Sequence, residues 1–204
     1  MPAMFVKLHF SRANQKLQKT EKLHGATIIG WDLPAGMTCP YAGECKKICY
    51  AQRGNYRYPS KRDACMDNLI ASQQPDFVER MVASIQGFNA NNDKKLFIRI
   101  HASGDFYSVE YALKWAEIAR QCPSVTFYAY TKSVSIVQTV DMPDNVKIAY
   151  SLGGLQDYLI PANAHAVAKI FDTEEDALNA GYDIRVNNDD LQVVAGGKLG
   201  LIKH

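Results

Sequence analysis

The residues best placed to do chemistry are three cysteines within eleven positions, Cys39-Pro-Tyr-Ala-Gly-Glu-Cys45-Lys-Lys-Ile-Cys49. Soft thiolates select Zn²⁺, Cu(I) or iron–sulfur clusters. Three of them from one short loop can wrap a cuboidal 4Fe-4S cluster and leave one iron without a protein thiolate, open to a small-molecule ligand. A structural zinc ion normally takes four ligands in two pairs, and no second pair accompanies this loop. Zinc and unliganded buried thiols are the alternatives. Cys65 and Cys122 read as small core residues, either of which would be the fourth ligand if one exists.

A second constellation is Arg99-Ile-His101-Ala-Ser103-Gly104-Asp105-Phe106. Alternate side chains of a strand share a face, so Arg99, His101, Ser103 and Asp105 are expected to point one way and Ile98, Ile100 and Ala102 the other. A polar row inside an α/β fold is costly unless it meets a ligand or itself. His101 and Asp105 are therefore candidate catalytic residues, and Ser103, Gly104 and Asp105 candidate cofactor-binding ones. Lys132, in Tyr130-Thr131-Lys132-Ser133 at the next strand end, joins them as a cation where an anionic ligand group would sit. The plainer readings are a satisfied core histidine, an Asp105 that caps the following helix, and a solvated lysine. Tyr128 and Tyr130 read as core rings whose hydroxyls find partners.

The elements that must position these groups follow from periodicity. Residues 26–33 (ATIIGWDL) read as a strand, and 33–59 as a long loop rich in Gly, Pro and Cys, of a length that is usually functional. Two helices follow, the second with Phe77, Met81, Val82 and Ile85 on one stripe. From Lys95 the pattern alternates: strand 96–103, helix 108–122 with Ser108 as cap, strand 125–131, a short helix at 133–140, strand 146–152, strand 166–171, then a helix capped by Thr173 with Asp176 completing a box. Strands alternating with helices imply a mainly parallel sheet, either a partial (β/α) barrel or an open sheet. The tail reads as short strands closing an edge. All of this fits a single α/β domain over residues 1–204.

Composition sets the outer bounds. With 204 residues, 47% hydrophobic and 22% charged, the chain is neither collagenous, disordered nor membrane-embedded in type. A formal charge of +2 steers toward no particular partner. No run approaches the roughly 20 apolar residues that span a bilayer, and the first residues lack a leader pattern, so the expectation is a cytoplasmic protein without membrane contact. Five cysteines, an odd number, fit a reducing compartment.

The segments CPYAGECKKICYA, HASGDFYSVEYALKWAEIA, PSVTFYAYTKS and GKLGLIKH together resemble the gene product 88 family of bacteriophage and prophage proteins, over roughly residues 30 to 204. The resemblance implies a phage or prophage origin and a cysteine-rich metal-binding protein. The chain is also similar, more distantly, to radical S-adenosylmethionine enzymes, which place a three-cysteine loop after a strand and bind S-adenosylmethionine at the open iron. Here Ser103-Gly104-Asp105-Phe106 takes the corresponding strand end. The cysteine spacing departs from theirs, with five and three intervening residues, and Tyr50 follows the last cysteine instead of preceding it. The competing class is a non-catalytic binding module, in which the metal staples the loop and Arg53, Arg57, Lys61 and Arg62, interleaved with Tyr56 and Tyr58, bind nucleic acid or a protein partner.

Overall fold

The computed structural model describes residues 6–12 and 14–203. Its seven strands form one sheet whose spatial order is the order of the sequence. β1 (Phe10–Arg12) pairs antiparallel with β2 (Thr27–Trp31). Every later neighbour is parallel, through β3 (Leu96–Ile100), β4 (Thr126–Thr131), β5 (Val146–Ser151), β6 (Ala166–Phe171) and β7 (Gly197–Ile202). Strands added always on the same side wind in one sense, as in the wall of a (β/α) barrel. The wall does not close: β1 and β7 are the two edges, and the short antiparallel β1 offers β7 no parallel register. Among the described residues the sheet is thus a seven-stranded, mainly parallel one that is not closed into a full barrel.

Alternation along the strands divides the apolar residues between two cores. Ile29, Trp31, Ile98, Ile100, Phe127 and Ala129 face one way. They pack against Phe77, Met81 and Ile85 of α4 (Phe77–Ala90) and Trp115 of α5 (Val109–Gln121). Each such fully buried side chain contributes about 1.5–3 kcal/mol. Ile28, Phe97, Tyr128, Ala149, Ala166 and Leu199 face the other way, against Leu17 of α1 (Gln15–His24) and Val193 of α8 (Gln192–Ala195). The remaining helices are α2 (Cys45–Ile48), α3 (Pro59–Gln73), α6 (Val134–Gln138) and α7 (Glu174–Asn179).

The caps follow the sequence. Ser108 Oγ accepts the Tyr111 N–H at 3.2 Å, and Thr173 Oγ accepts the Asp176 N–H at 3.1 Å while its hydroxyl donates to that carboxylate. Four elements depart from it, the first being α2, which lies inside the segment 33–59 expected as a loop. α1 carries only two buried residues and is defined by its ends, an Asn14 cap and a left-handed Gly25, so it has no stripe to read. The tail folds as α8 plus one parallel edge strand, β7, where short closing strands are expected. β3 stops at Ile100, because His101 takes a left-handed backbone (φ 66°) and turns the chain.

Candidate functional site

The segment after β2 lies across the C-terminal ends of the parallel strands, the end where such sheets build their sites. Leu33 N donates to Ser103 O at 2.9 Å and Ser103 Oγ donates to Leu33 O at 2.8 Å. The Tyr50 hydroxyl donates to the Ala102 carbonyl. Ala42 forms an isolated antiparallel bridge with Gly154, beyond β5, and Leu155 N donates to Tyr41 O at 2.9 Å. Close approach requires glycine at two of these points. A Cβ on Gly104 would stand 2.6 Å from both Leu33 Cβ and Thr38 Oγ1, and one on Gly43 would stand 2.5 Å from Gly153 O.

Cys39, Cys45 and Cys49 are free and half-buried in this layer. Burial pushes the Cys39 thiol up to about 11, although the Gly36 N–H, 3.4 Å from Sγ, favours the thiolate; Asp105, Cys49 and Cys45 push it further. Cys45 is raised by burial, with Lys132 pulling it back down and Cys49 and Asp105 adding to the rise. The three thiols, Asp105 and Lys132 thus share one electrostatic neighbourhood. Among the described residues, no three His, Cys, Asp or Glu side chains gather closely enough to hold a single metal ion.

Asp105 is 6% exposed and accepts three donors: Phe106 N at 2.8 Å, Thr131 Oγ1 at 2.6 Å and Lys132 N at 2.8 Å. It does not cap α5, which Ser108 does. It ties the end of β3 to the end of β4, and burial holds its carboxyl above the usual range against those three bonds. Lys132 is buried, not solvated, and its ammonium reaches the Ser151 hydroxyl, Ser151 O (3.2 Å) and Leu152 O (3.1 Å). Burial lowers its pKa, while Cys45, Asp105 and Asp157 oppose the shift. It is a cation beside thiols, with neutral oxygens as its hydrogen-bond partners.

The expected polar row does not share one face. Arg99 points into the second core, where its guanidinium lies 3.2 Å from Asp190, whereas His101, after the left-handed turn, joins the first core. His101 Nε2 meets the Tyr111 hydroxyl at 2.9 Å, its ring stands edge-on to Phe106, and Nδ1 has no partner among the described residues. Burial lowers its pKa to about 3. The plain reading, a core histidine, describes it.

Acid should destabilise the fold through this residue. The unfolded imidazole takes a proton below about pH 6.5, the folded one only near 3. Between those values the unfolded chain binds more protons, so this stability is intact above about pH 6.5 and is lost as pH falls toward 3. Asp105, with its raised carboxyl, acts in the opposite sense, so the comparison must be with a His101→Phe variant. The unfolding free energy of the native chain should drop by roughly 3 kcal/mol more than the variant's between pH 7 and pH 4. Identical pH dependence in urea titrations would refute it.

The groups that the sequence reading missed lie under the site. Asp190, fully buried, accepts from Lys16 Nζ (2.6 Å), Arg99 and the Tyr128 hydroxyl (2.8 Å). Asp32, just past β2, pairs with Lys61 Nζ at 2.5 Å, and that ammonium also stands over the Tyr56 ring. Lys61 is therefore turned inward, and of the proposed basic surface Arg53, Arg57, Arg62 and Tyr58 are exposed. No local signal announces partners 29, 91 or 174 positions apart. Among the described residues no helix is long and apolar enough to cross a membrane.

A family model described as "Gene product 88" matches residues 8–201. The chain is similar to the "Gene 88 protein" of Mycobacterium phage D29, 29% identical over 151 residues that cover 63% of this chain and 62% of the relative. It is also similar to the "Gene 88 protein" of Mycobacterium phage L5, 31% identical over 115 residues, 52% of this chain and 48% of the relative. The matches thus span less than two thirds of either relative. No solved structure matches the chain.

Proposed function

This chain belongs to the Gene product 88 family, and from the site just described we propose that it is an iron–sulfur protein whose Cys39, Cys45 and Cys49 hold a 4Fe-4S cluster over the strand ends. The observation that carries the reading is the convergence of three free thiols with one buried cation, Lys132, on the C-terminal ends of β3, β4 and β5. The donor set is all sulfur, which suits iron–sulfur over hard-ligand metals. A lone zinc ion, with bonds of about 2.3 Å, draws its thiolates close together, whereas a cluster puts each on a different iron and asks for wider spacing. When bound, such a cluster supplies one-electron chemistry, and an iron without a protein thiolate gives a small molecule a place to bind, S-adenosylmethionine being the first to try.

This chain's own residues prepare the site. Lys132 favours the thiolate form of Cys45 and offsets the negative charge of a thiolate-ligated cluster. Asp105 acts indirectly: its three protein donors leave it to fix the backbone that carries Lys132, and Ser103 and Gly104 hold the loop against the strand ends. They are positioning residues in this reading. His101, neutral and enclosed, packs the layer beneath.

Anaerobic reconstitution should give about four iron and about four sulfide per chain, and Lys132→Met should then shift the reduction potential to more negative values while iron content holds. Stoichiometric zinc in place of iron, or a potential indifferent to Lys132, would overturn the respective part. If the chain instead binds nucleic acid through Arg53, Arg57 and Arg62 without any cluster, the binding-module reading replaces this one.

A further inference from the structure

Residues 33–62 carry six Lys or Arg side chains against a single acidic one, Glu44, in a chain whose formal charge is only +2. Two of the six are answered within the fold: Lys47 pairs with Glu44 at 2.8 Å, and Lys61 pairs with the buried Asp32. Lys46, Arg53, Arg57 and Arg62 are exposed and have no ion pair among the described residues. Lys46 stands between Cys45 and Cys49, and Arg53 and Arg57 end the two short 3-10 turns that follow Cys49. Large apolar side chains are exposed on the same layer. Met37, two positions before Cys39, is 67% exposed. Leu155 and Tyr158, 61% and 81% exposed, lie in the turn after β5, which the bond from Leu155 N to Tyr41 O and the Ala42–Gly154 bridge hold against the cysteine segment.

We infer that this layer is the docking surface for an acidic protein that carries one electron and exchanges it with the cluster. The inference rests on the cluster reading and names the partner of that site. An electron crosses only where two centres come close, and this layer is the one that holds the three half-buried thiols. Four unanswered cations around them attract a carboxylate-rich surface and repel a basic one. Tyr, Met and Arg together are the side chains that protein–protein interfaces concentrate. Met37 and Leu155 offer a nucleic acid neither a ring to stack on nor a charge, so the mixture favours a protein. The step itself is balanced: the reduced carrier loses one electron and the cluster gains it, with no bond broken and no proton moved. Encounters of this kind bury less than about 1,200 Å² and are transient, so affinity and rate report on them better than co-purification does.

A plant-type 2Fe-2S ferredoxin, an acidic one-electron carrier, is the probe. Titrated by calorimetry at low ionic strength into the reconstituted full chain, it should bind, and electron exchange between the two, in whichever direction their potentials dictate, should slow as salt is added. Arg53→Glu combined with Arg57→Glu should weaken binding and slow exchange at least roughly tenfold. Lys22→Glu combined with Lys94→Glu makes the same change in charge at exposed positions that precede β2 and β3, at the other end of the strands, and should leave both nearly unchanged. Leu155→Ser combined with Tyr158→Ser removes apolar surface without altering charge and should weaken binding at least roughly threefold at every salt concentration. Iron analysis of the same samples separates the two readings: an iron-loaded chain that ignores ferredoxin overturns this inference alone, and an iron-free chain overturns the cluster reading and this one with it. Binding indifferent to salt, or lost equally in the arginine and lysine pairs, or unmoved by the apolar pair, would also overturn it. Single-stranded DNA bound more tightly than ferredoxin, and released by the same arginine substitutions, would assign the surface to nucleic acid instead.

Discussion

Replacing Cys39, Cys45 or Cys49 singly by Ala should strip the brown colour, and most of the iron, from anaerobically prepared protein, whereas Cys65→Ala and Cys122→Ala should keep both. The contrast follows from position. The first three thiols are half-buried in one layer over the strand ends and feel one another's charge. Cys65 lies on α3, 4% exposed, in charge range of Lys61 and Asp32 and not of the other thiols. Cys122 ends α5 and is buried in the first core among aromatic and aliphatic side chains. A cluster held by three thiolates has no redundancy, so each of the three variants should lose the broad absorption near ~400 nm almost completely. Loss in Cys65→Ala or Cys122→Ala would identify a fourth ligand, and retention in all five would mean that the colour has another origin.

The strands and the two central helices were legible in the sequence because burial imposes a period. Ile28, Phe97 and Tyr128 alternate with Ile29, Ile98 and Phe127 between the two cores, and α4 and α5 show their stripes. The polar row at Arg99–Asp105 was legible as unusual, but its geometry was not. A period of two holds only while the backbone stays extended, and His101 leaves that region in a way its residue type does not advertise. Lys132 was legible as a candidate because it follows a strand, while its burial depends on Gly154, whose missing Cβ leaves room for the lysine stem. Whether the sheet closes was illegible, since it rests on which edge meets which, a long-range matter that local pattern does not carry. The same holds for Asp190, one of two adjacent aspartates in a polar tail: only the fold reveals that it lies beneath Arg99.

The largest loss of stability from one side chain is expected at that residue. Asp190 is shared by two cations, Lys16 from α1 and Arg99 from β3, with the Tyr128 hydroxyl as a third donor. Burial pushes its carboxyl up, but Arg99 and Lys16 outweigh burial and hold it below the usual range. Asp190→Ala would leave the Arg99 guanidinium, whose side chain is 13% exposed, enclosed without a counter-charge, together with an orphaned tyrosine hydroxyl. Removing one partner of a buried pair typically costs about 3–5 kcal/mol, most of it the penalty on the charge left behind. A double variant, Asp190→Leu with Arg99→Met, removes both enclosed charges and should recover much of that loss; Lys16, 25% exposed, can return to water. The comparison separates two accounts of the pair. If it merely fills space, the single and double variants should unfold at similar denaturant concentrations. If charge compensation fastens the C-terminal segment to the inner face, the double variant should be clearly the more stable. Arg99 also lies over the Tyr130 ring and within charge range of Tyr50, whose hydroxyl anchors the cysteine segment at Ala102. The single variant should therefore speed hydrogen exchange in residues 50–57 as well, and unchanged exchange there would confine the effect to the core.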